Sequence, residues 1–248
     1  MTHRPVLLLT LRRTGGTTLA NFLSGLTDQW AMAHEPFNRG RKFGEITRQY
    51  DANGDHAALR ADIAGALQDR PGIKHCIDNL PYAVTAALIA EAEAAGYAFL
   101  VLTRKDIVAR QMSLMIAQAT GAWGKRSAQE IYPEIRAGDR PVKPIDLKDV
   151  RKQTVHEITI TGRLLLALRY QQIPHEWVVY EEFYAPDRPV ESRAQALAAR
   201  LGHSIGADHP SLQAFTRSSS QKSASISDLI PNADEARAMI EAVQNGLR

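Results

Sequence analysis

The chain has 248 residues, 44% of them hydrophobic and 23% charged, with a formal net charge of +3. That length and balance suit one α/β domain with insertions and exclude wholesale disorder or a fibrous repeat, and so small a positive charge gives no reason to expect a nucleic-acid partner. A lone cysteine, Cys76, excludes an intrachain disulfide, and the apolar run near the N-terminus is too short for a signal peptide or membrane span, so a cytoplasmic protein without a transmembrane segment is expected.

The short apolar run Val6 to Thr10 ends in Arg12-Arg13-Thr14-Gly15-Gly16-Thr17-Thr18, after which Leu19, Phe22, Leu23 and Leu26 recur at helical spacing. This predicts strand, loop, helix. A second short strand, Trp30 to Ala33, runs into His34-Glu35-Pro36-Phe37, where the proline disfavours a helical Glu35 and leaves it at a strand end. Residues 38 to 60 are polar and basic with scattered glycines, and Ile73 to Ile77 reads as the third strand. The alanine-rich stretch Pro81 to Ala95 predicts a helix stopped by Gly96, and Tyr97 to Thr103 a strand that leads directly into Arg104.

Asp106 can cap a helix carrying Ile107, Val108, Met112, Met115 and Ile116 at helical spacing. Met112, Met115 and Trp123 are expected in the core. After a Pro-, Gly- and charge-rich stretch at 133 to 148, a long helix is predicted from Val150 to Gln172 and a fifth strand from Trp177 to Tyr180. The tail offers a helix at 190 to 201, a Ser-rich loop at 218 to 227 and an amphipathic helix after Pro231. Strands alternating with helices predict a central parallel sheet of about five strands flanked by helices, in a single domain with a helical tail at 186 to 248.

Between strand and helix, Arg13-Thr14-Gly15-Gly16-Thr17-Thr18 can wrap backbone N–H groups around an oxyanion, with hydroxyl donors from the threonines and a fixed charge from Arg13. The loop lacks the G-x-x-x-x-G-K-[ST] pattern, which disfavours hydrolysis of a nucleoside triphosphate. Taken alone, it is also compatible with a plain glycine turn. Arg104 and Ser113, nine positions apart, could share a phosphate only if the chain after Arg104 folds back over its helix. Neither H-E-x-x-H nor a cysteine pair marks a metal site.

Together with Gly72-Ile73-Lys74, the segment Leu102 to Leu114, Ala117 to Trp123 and Val179-Tyr180-Glu181-Glu182, these motifs resemble the sulfotransferases that use 3′-phosphoadenylyl sulfate (PAPS), especially the bacterial trehalose 2-sulfotransferase-like group. The resemblance covers most of residues 5 to 185 and implies the P-loop-like sulfotransferase fold, with a core at 5 to 185. It implies that Arg13, Thr14, Gly15, Gly16, Thr17 and Thr18 bind the 5′-phosphosulfate of PAPS, and that Arg104 and Ser113 bind the 3′-phosphate. The chain departs from the group at Gly16, where serine or threonine is more usual; Thr17 and Thr18 can supply the missing hydroxyl.

The same resemblance implies Glu35 as the base that takes the acceptor's proton, with His34 as its local rival; in an in-line attack on sulfur, Arg13, the loop amides and, as a further candidate, Lys74 would stabilise charge on the departing 5′-phosphate oxygen. His34, Phe37 and Lys74 are expected near the acceptor, a carbohydrate or glycolipid hydroxyl, with contacts from 36 to 60 and 124 to 148. No metal is demanded, because a transferring sulfonate carries less charge than a phosphoryl group. Lys222 could close on the 3′-phosphate, although a solvated lysine is its ordinary reading, and a homodimer is expected by family analogy. Two other readings fit the anion loop: a nucleotide-dependent small-molecule kinase, and a non-catalytic protein that binds a phosphorylated ligand.

Overall fold

The computed structural model describes residues 4–217 and 223–246. In chain order its elements are β1 (Val6–Thr10), α1 (Gly16–Ser24), β2 (Met32–His34), α2 (Gly44–Asn53), α3 (His56–Ala66), β3 (Gly72–Cys76), α4 (Tyr82–Ala94), β4 (Ala98–Thr103), α5 (Ile107–Thr120), α6 (Lys125–Ala137), α7 (Leu147–Tyr170), β5 (His175–Val179), α8 (Tyr180–Phe183), α9 (Val190–Arg200), α10 (Gln213–Arg217) and α11 (Ala233–Asn245). Backbone contacts divide the chain into two compact units, Met1–Lys105 with Ile160–Arg217, and Asp106–Thr159 with Ser218–Arg248.

The first unit is built on a five-stranded parallel sheet in the order β2-β3-β1-β4-β5, flanked by helices. All five residues of β1 are buried, as a central parallel strand covered on both faces requires. Their alternation separates two cores. Leu7 and Leu9 join Ile73, Phe99 and Val101 beneath α3, α4 and the end of α7, while Val6 and Leu8 join Leu100 and Leu102 beneath α1 and α9. The buried Thr10 hydroxyl donates to the Leu102 carbonyl at 3.0 Å and ties the end of β1 to β4.

Helices α2 and α3 occupy much of the stretch whose composition reads as polar and glycine-scattered. Asp55 caps α3 by accepting from the amides of Ala57 (2.9 Å) and Ala58 (3.0 Å), and Leu59 and Ile63 carry it into the core. Among the described residues no helix is long and apolar enough to cross a membrane.

The second unit packs α5, α6, α11, the first half of α7 and a 3-10 segment, Ser223–Leu229, around Met112, Met115, Ile116, Tyr132, Ile135 and Ile240. As the sequence leads one to expect, Asp106 caps α5, accepting from the Ala109 amide at 2.8 Å. Three expectations are corrected. Pro133 lies inside α6, where burial of Tyr132 and Ile135 holds the helix together across the missing amide, and Trp123 is 48% exposed instead of core. The Ser-rich stretch is likewise not uniformly a loop, since its residues from Ser223 onward form the 3-10 segment, with Ile226 buried.

Beneath this apolar layer lies a polar network. Arg110 and Glu157 are only 1% and 2% exposed and form an ion pair. Gln111 Nε2 (2.7 Å) and Gln153 Nε2 (2.9 Å) also donate to the Glu157 carboxylate, and Thr154 Oγ1 donates to Gln111 Oε1 at 2.7 Å. Removing one partner of such a pair strands the other charge, at about 3–5 kcal/mol. Glu157→Leu should therefore lower the urea midpoint sharply, and Arg110→Met/Glu157→Leu should recover most of the loss; equal losses in the two proteins would show that the pair does not act as a unit.

Candidate functional site

Because the strands are parallel, their carboxyl ends share one edge, and β1 is followed there by the loop Leu11 to Gly15 and the N-terminus of α1. Asp78, just beyond β3, fixes the loop: its carboxylate accepts from the Arg12 amide at 3.0 Å and from Arg12 Nε at 2.7 Å. Arg12 is thereby committed to structure. Arg13 (φ 66°) and Gly15 (φ 83°) both adopt left-handed backbone, the kind of alternation that turns successive amides toward one point. No acidic side chain stands in the first turn of α1, so nothing there offsets the helix dipole. Thr14 is 1% exposed and its hydroxyl is buried without a hydrogen-bond partner, an unsatisfied group inside the loop.

The loop is walled by groups from distant strands. A Cβ on Gly15 would lie 2.9 Å from Tyr180 Cε2, so glycine is required both by its φ and by the tyrosine ring. At Gly16 a Cβ would lie 3.0 Å from Lys74 Cε and 3.1 Å from Thr10 Cγ2. A side chain at that position would therefore meet the stem of Lys74. Thr17 is exposed and Thr18 half-buried.

Arg104 follows β4 at the same edge. Its guanidinium lies 4.7 Å from the centroid of Tyr180, pairs with Glu181 (Nε to Oε1, 3.3 Å) and reaches the Arg13 carbonyl at 3.5 Å. Glu181 also accepts from the Lys105 amide at 2.8 Å. Tyr180, Glu181 and Asp78 are positioning residues to which sequence reading gave no role; the placement of Tyr180 and Glu181 directly after a strand was the available signal. Ser113 lies on α5 in the second unit and its hydroxyl accepts from Ser223 Oγ at 3.0 Å. Lys222 lies outside the described residues.

Glu35 directly follows β2, at the strand end, and with φ at 52° it is not right-handed helical but turns away from the strand direction. Its amide continues the ladder by donating to the Lys74 carbonyl at 2.7 Å, and its own carbonyl accepts from Asn38 at 3.1 Å, closing a tight turn. Side-chain contacts offset the strain: Lys74 Nζ is paired with Oε1, Cys76 Sγ donates to the same oxygen at 3.3 Å, and Asn38 Nδ2 donates to Oε2 at 2.7 Å. Phe37 is fully buried against Phe43, at 5.5 Å between ring centroids, and so is a packing residue with no surface to offer an acceptor.

Burial alone would raise the Glu35 carboxyl, but the charge and hydrogen bond of Lys74, with Cys76 and Asn38, hold it down at about 2. On Lys74 burial opposes the charge, and the anionic forms of Cys76 and Glu35 outweigh it and raise the pKa. Since burial pushes the Cys76 thiol up, Glu35 is the anion present at neutral pH. His34 is held below its ordinary value by burial, Lys74 and Arg41, against the opposing pull of Glu35. Two deprotonated groups therefore stand side by side at the end of β2.

Compared with protein-family models, curated proteins and solved structures, the chain matches none. Fold and site together define a parallel α/β protein with a left-handed loop leading into a helix N-terminus and a partly buried lysine–carboxylate pair at the carboxyl edge of its sheet.

Two outcomes check this geometry. Gly15→Ala should cost about 1–2 kcal/mol for left-handed backbone alone, and in isothermal titration it should lose affinity for inorganic phosphate. Glu35 stabilises the fold above its unfolded value of 4.5 and loses that contribution as pH falls toward about 2. Urea midpoints of Glu35→Gln should therefore fall less between about pH 6 and about pH 3 than those of the unaltered protein.

Proposed function

We propose that this protein is a PAPS-dependent sulfotransferase that moves a sulfonate group onto an acceptor hydroxyl, and that its fold is the sulfotransferase fold. The observation that carries the reading is the loop after β1: left-handed Arg13 and Gly15, the buried unpartnered Thr14 hydroxyl and the α1 N-terminus, with the Glu35 carboxylate joined to it through Lys74. An anion site adjoining an ionised carboxylate is what transfer of an anionic group to a hydroxyl needs. The motifs shared with the trehalose 2-sulfotransferase-like group supply the identity of the donor.

In this reading the loop amides, Thr14 and Arg13 bind the 5′-phosphosulfate and stabilise charge on the departing phosphate oxygen. Arg104, held against Tyr180 and by Glu181, is the cation for the 3′-phosphate; the part of Ser113 is carried over from the resemblance alone. Glu35 accepts the proton of the attacking hydroxyl, and His34 remains the neighbouring alternative. The acceptor class is a carbohydrate or glycolipid hydroxyl.

Isothermal titration with adenosine 3′,5′-bisphosphate tests the donor. The bisphosphate should bind without metal, and Arg104→Ala should weaken it by about ten- to hundredfold, as expected for loss of a hydrogen-bonded charge. With acceptor sugars and PAPS, Glu35→Ala should lower kcat by about 10²–10⁴-fold. No binding of the bisphosphate beside tight binding of ATP with Mg²⁺ would replace this reading with a kinase.

A further inference from the structure

Glu35 poses a chemical difficulty. A carboxylate clamped by an ammonium group, a thiol and an amide is ionised, as a base must be, yet each of those donors weakens its hold on a new proton. The cation in the clamp is Lys74, which is 6% exposed and whose head is paired with Oε1. Cys76 and Asn38 are neutral donors. Around the pair stand His75 and Cys76 of β3, His34 of β2, Asp78, and Arg41 acting on His34. Burial keeps His75 neutral, at about 4, and its Nε2 lies 2.9 Å from the Thr85 hydroxyl, so it does not replace Lys74 as a cation.

The stem of Lys74 also borders the end of the loop. Its Cε passes 3.0 Å from the point a Gly16 Cβ would occupy, so the stem lies against the first residue of α1, two positions from the unpartnered hydroxyl of Thr14. A lysine head carries three donors on a flexible stem and can turn between two acceptors while the stem stays seated. Gly16 leaves room for that stem.

We propose that Lys74 is a positioning residue that couples the two halves of the site: an anion held in the loop draws the ε-ammonium from Glu35 and so frees the carboxylate to accept a proton. This rests on the reading of the loop as the donor site and Glu35 as the base. In the transfer, the acceptor oxygen bonds to sulfur as its proton passes to Glu35. The bond from sulfur to the 5′-phosphate oxygen breaks, and its electron pair leaves on that oxygen, toward which Lys74 has turned.

Coupling of this kind is reciprocal: whatever an anion does to the Lys74–Glu35 pair, removing the carboxylate's charge must do to anion binding. Titration of adenosine 3′,5′-bisphosphate into the unaltered protein, Glu35→Gln, Lys74→Met and the double variant reads the coupling directly. Glu35→Gln is expected to bind at least threefold more tightly than the unaltered protein, Lys74→Met more weakly, and Glu35→Gln should bring no gain once Lys74 is gone. An equal gain in both backgrounds would reveal plain repulsion by the carboxylate and overturn the proposal, as would no gain at all.

Should Lys74→Met fail to fold, Gly16→Ser provides the second background, because its Cβ displaces the lysine stem; the gain from Glu35→Gln should shrink there. If the bisphosphate does not bind, the sulfotransferase reading falls by itself, and inorganic sulfate takes its place in the same four titrations. The proposal then stands on a Lys74-dependent gain for sulfate and is overturned without one.

Discussion

The parallel pairing of β1 with β3 on one side and β4 on the other is the constraint on which the first unit depends. Its side chains alternate strictly between two apolar layers, so a slip of one residue would turn Leu7 and Leu9 into the layer built for Val6 and Leu8. Register is therefore fixed from both faces. With it is fixed the height at which every strand ends, and so the distance between the loop after β1, Glu35 after β2, Arg104 after β4 and Tyr180 after β5. A shared edge is a consequence of parallel strands, and the chemistry collects where the chain must turn.

At that edge the protein holds backbone in conformations that L-residues avoid. Arg13 and Glu35 have positive φ, each at a cost of about 1–3 kcal/mol. Both sites are overdetermined by distant groups. Asp78 secures the loop through Arg12, the Tyr180 ring closes on Gly15, and Lys74, Cys76 and Asn38 hold the Glu35 side chain. The same contacts set the electrostatics: Asp78 and Glu181 each occupy one arginine, and Lys74 is shared in space between the carboxylate and the loop.

The second unit follows a different logic. Its apolar core is assembled from α5, α6, α11 and part of α7, yet a fully buried arginine and glutamate sit within it, joined by two glutamines and a threonine. Buried charge is tolerable because the Glu157 carboxylate accepts from Arg110, Gln111 and Gln153, and these directional bonds specify how α5 and α7 align in a way apolar contacts alone do not.

Local pattern in the sequence was enough to determine the strands, the helices with clear period and the strand-loop-helix around Gly15, because burial on one face of a helix or both faces of a strand leaves a periodic trace. It also marked Arg13, Glu35, Lys74 and Arg104 as residues worth following. Tertiary structure decided their partners. Lys74 and Glu35 are 39 residues apart, Arg12 and Asp78 66, and Arg104 and Glu181 77, separations that no local period spans. It likewise decided that Phe37 is core, that Trp123 is exposed, that Pro133 stays helical and that Glu35 bends out of the strand direction. Each of these turns on how burial and hydrogen bonding across the sheet outweigh a local preference, and that balance exists only once the strands have paired.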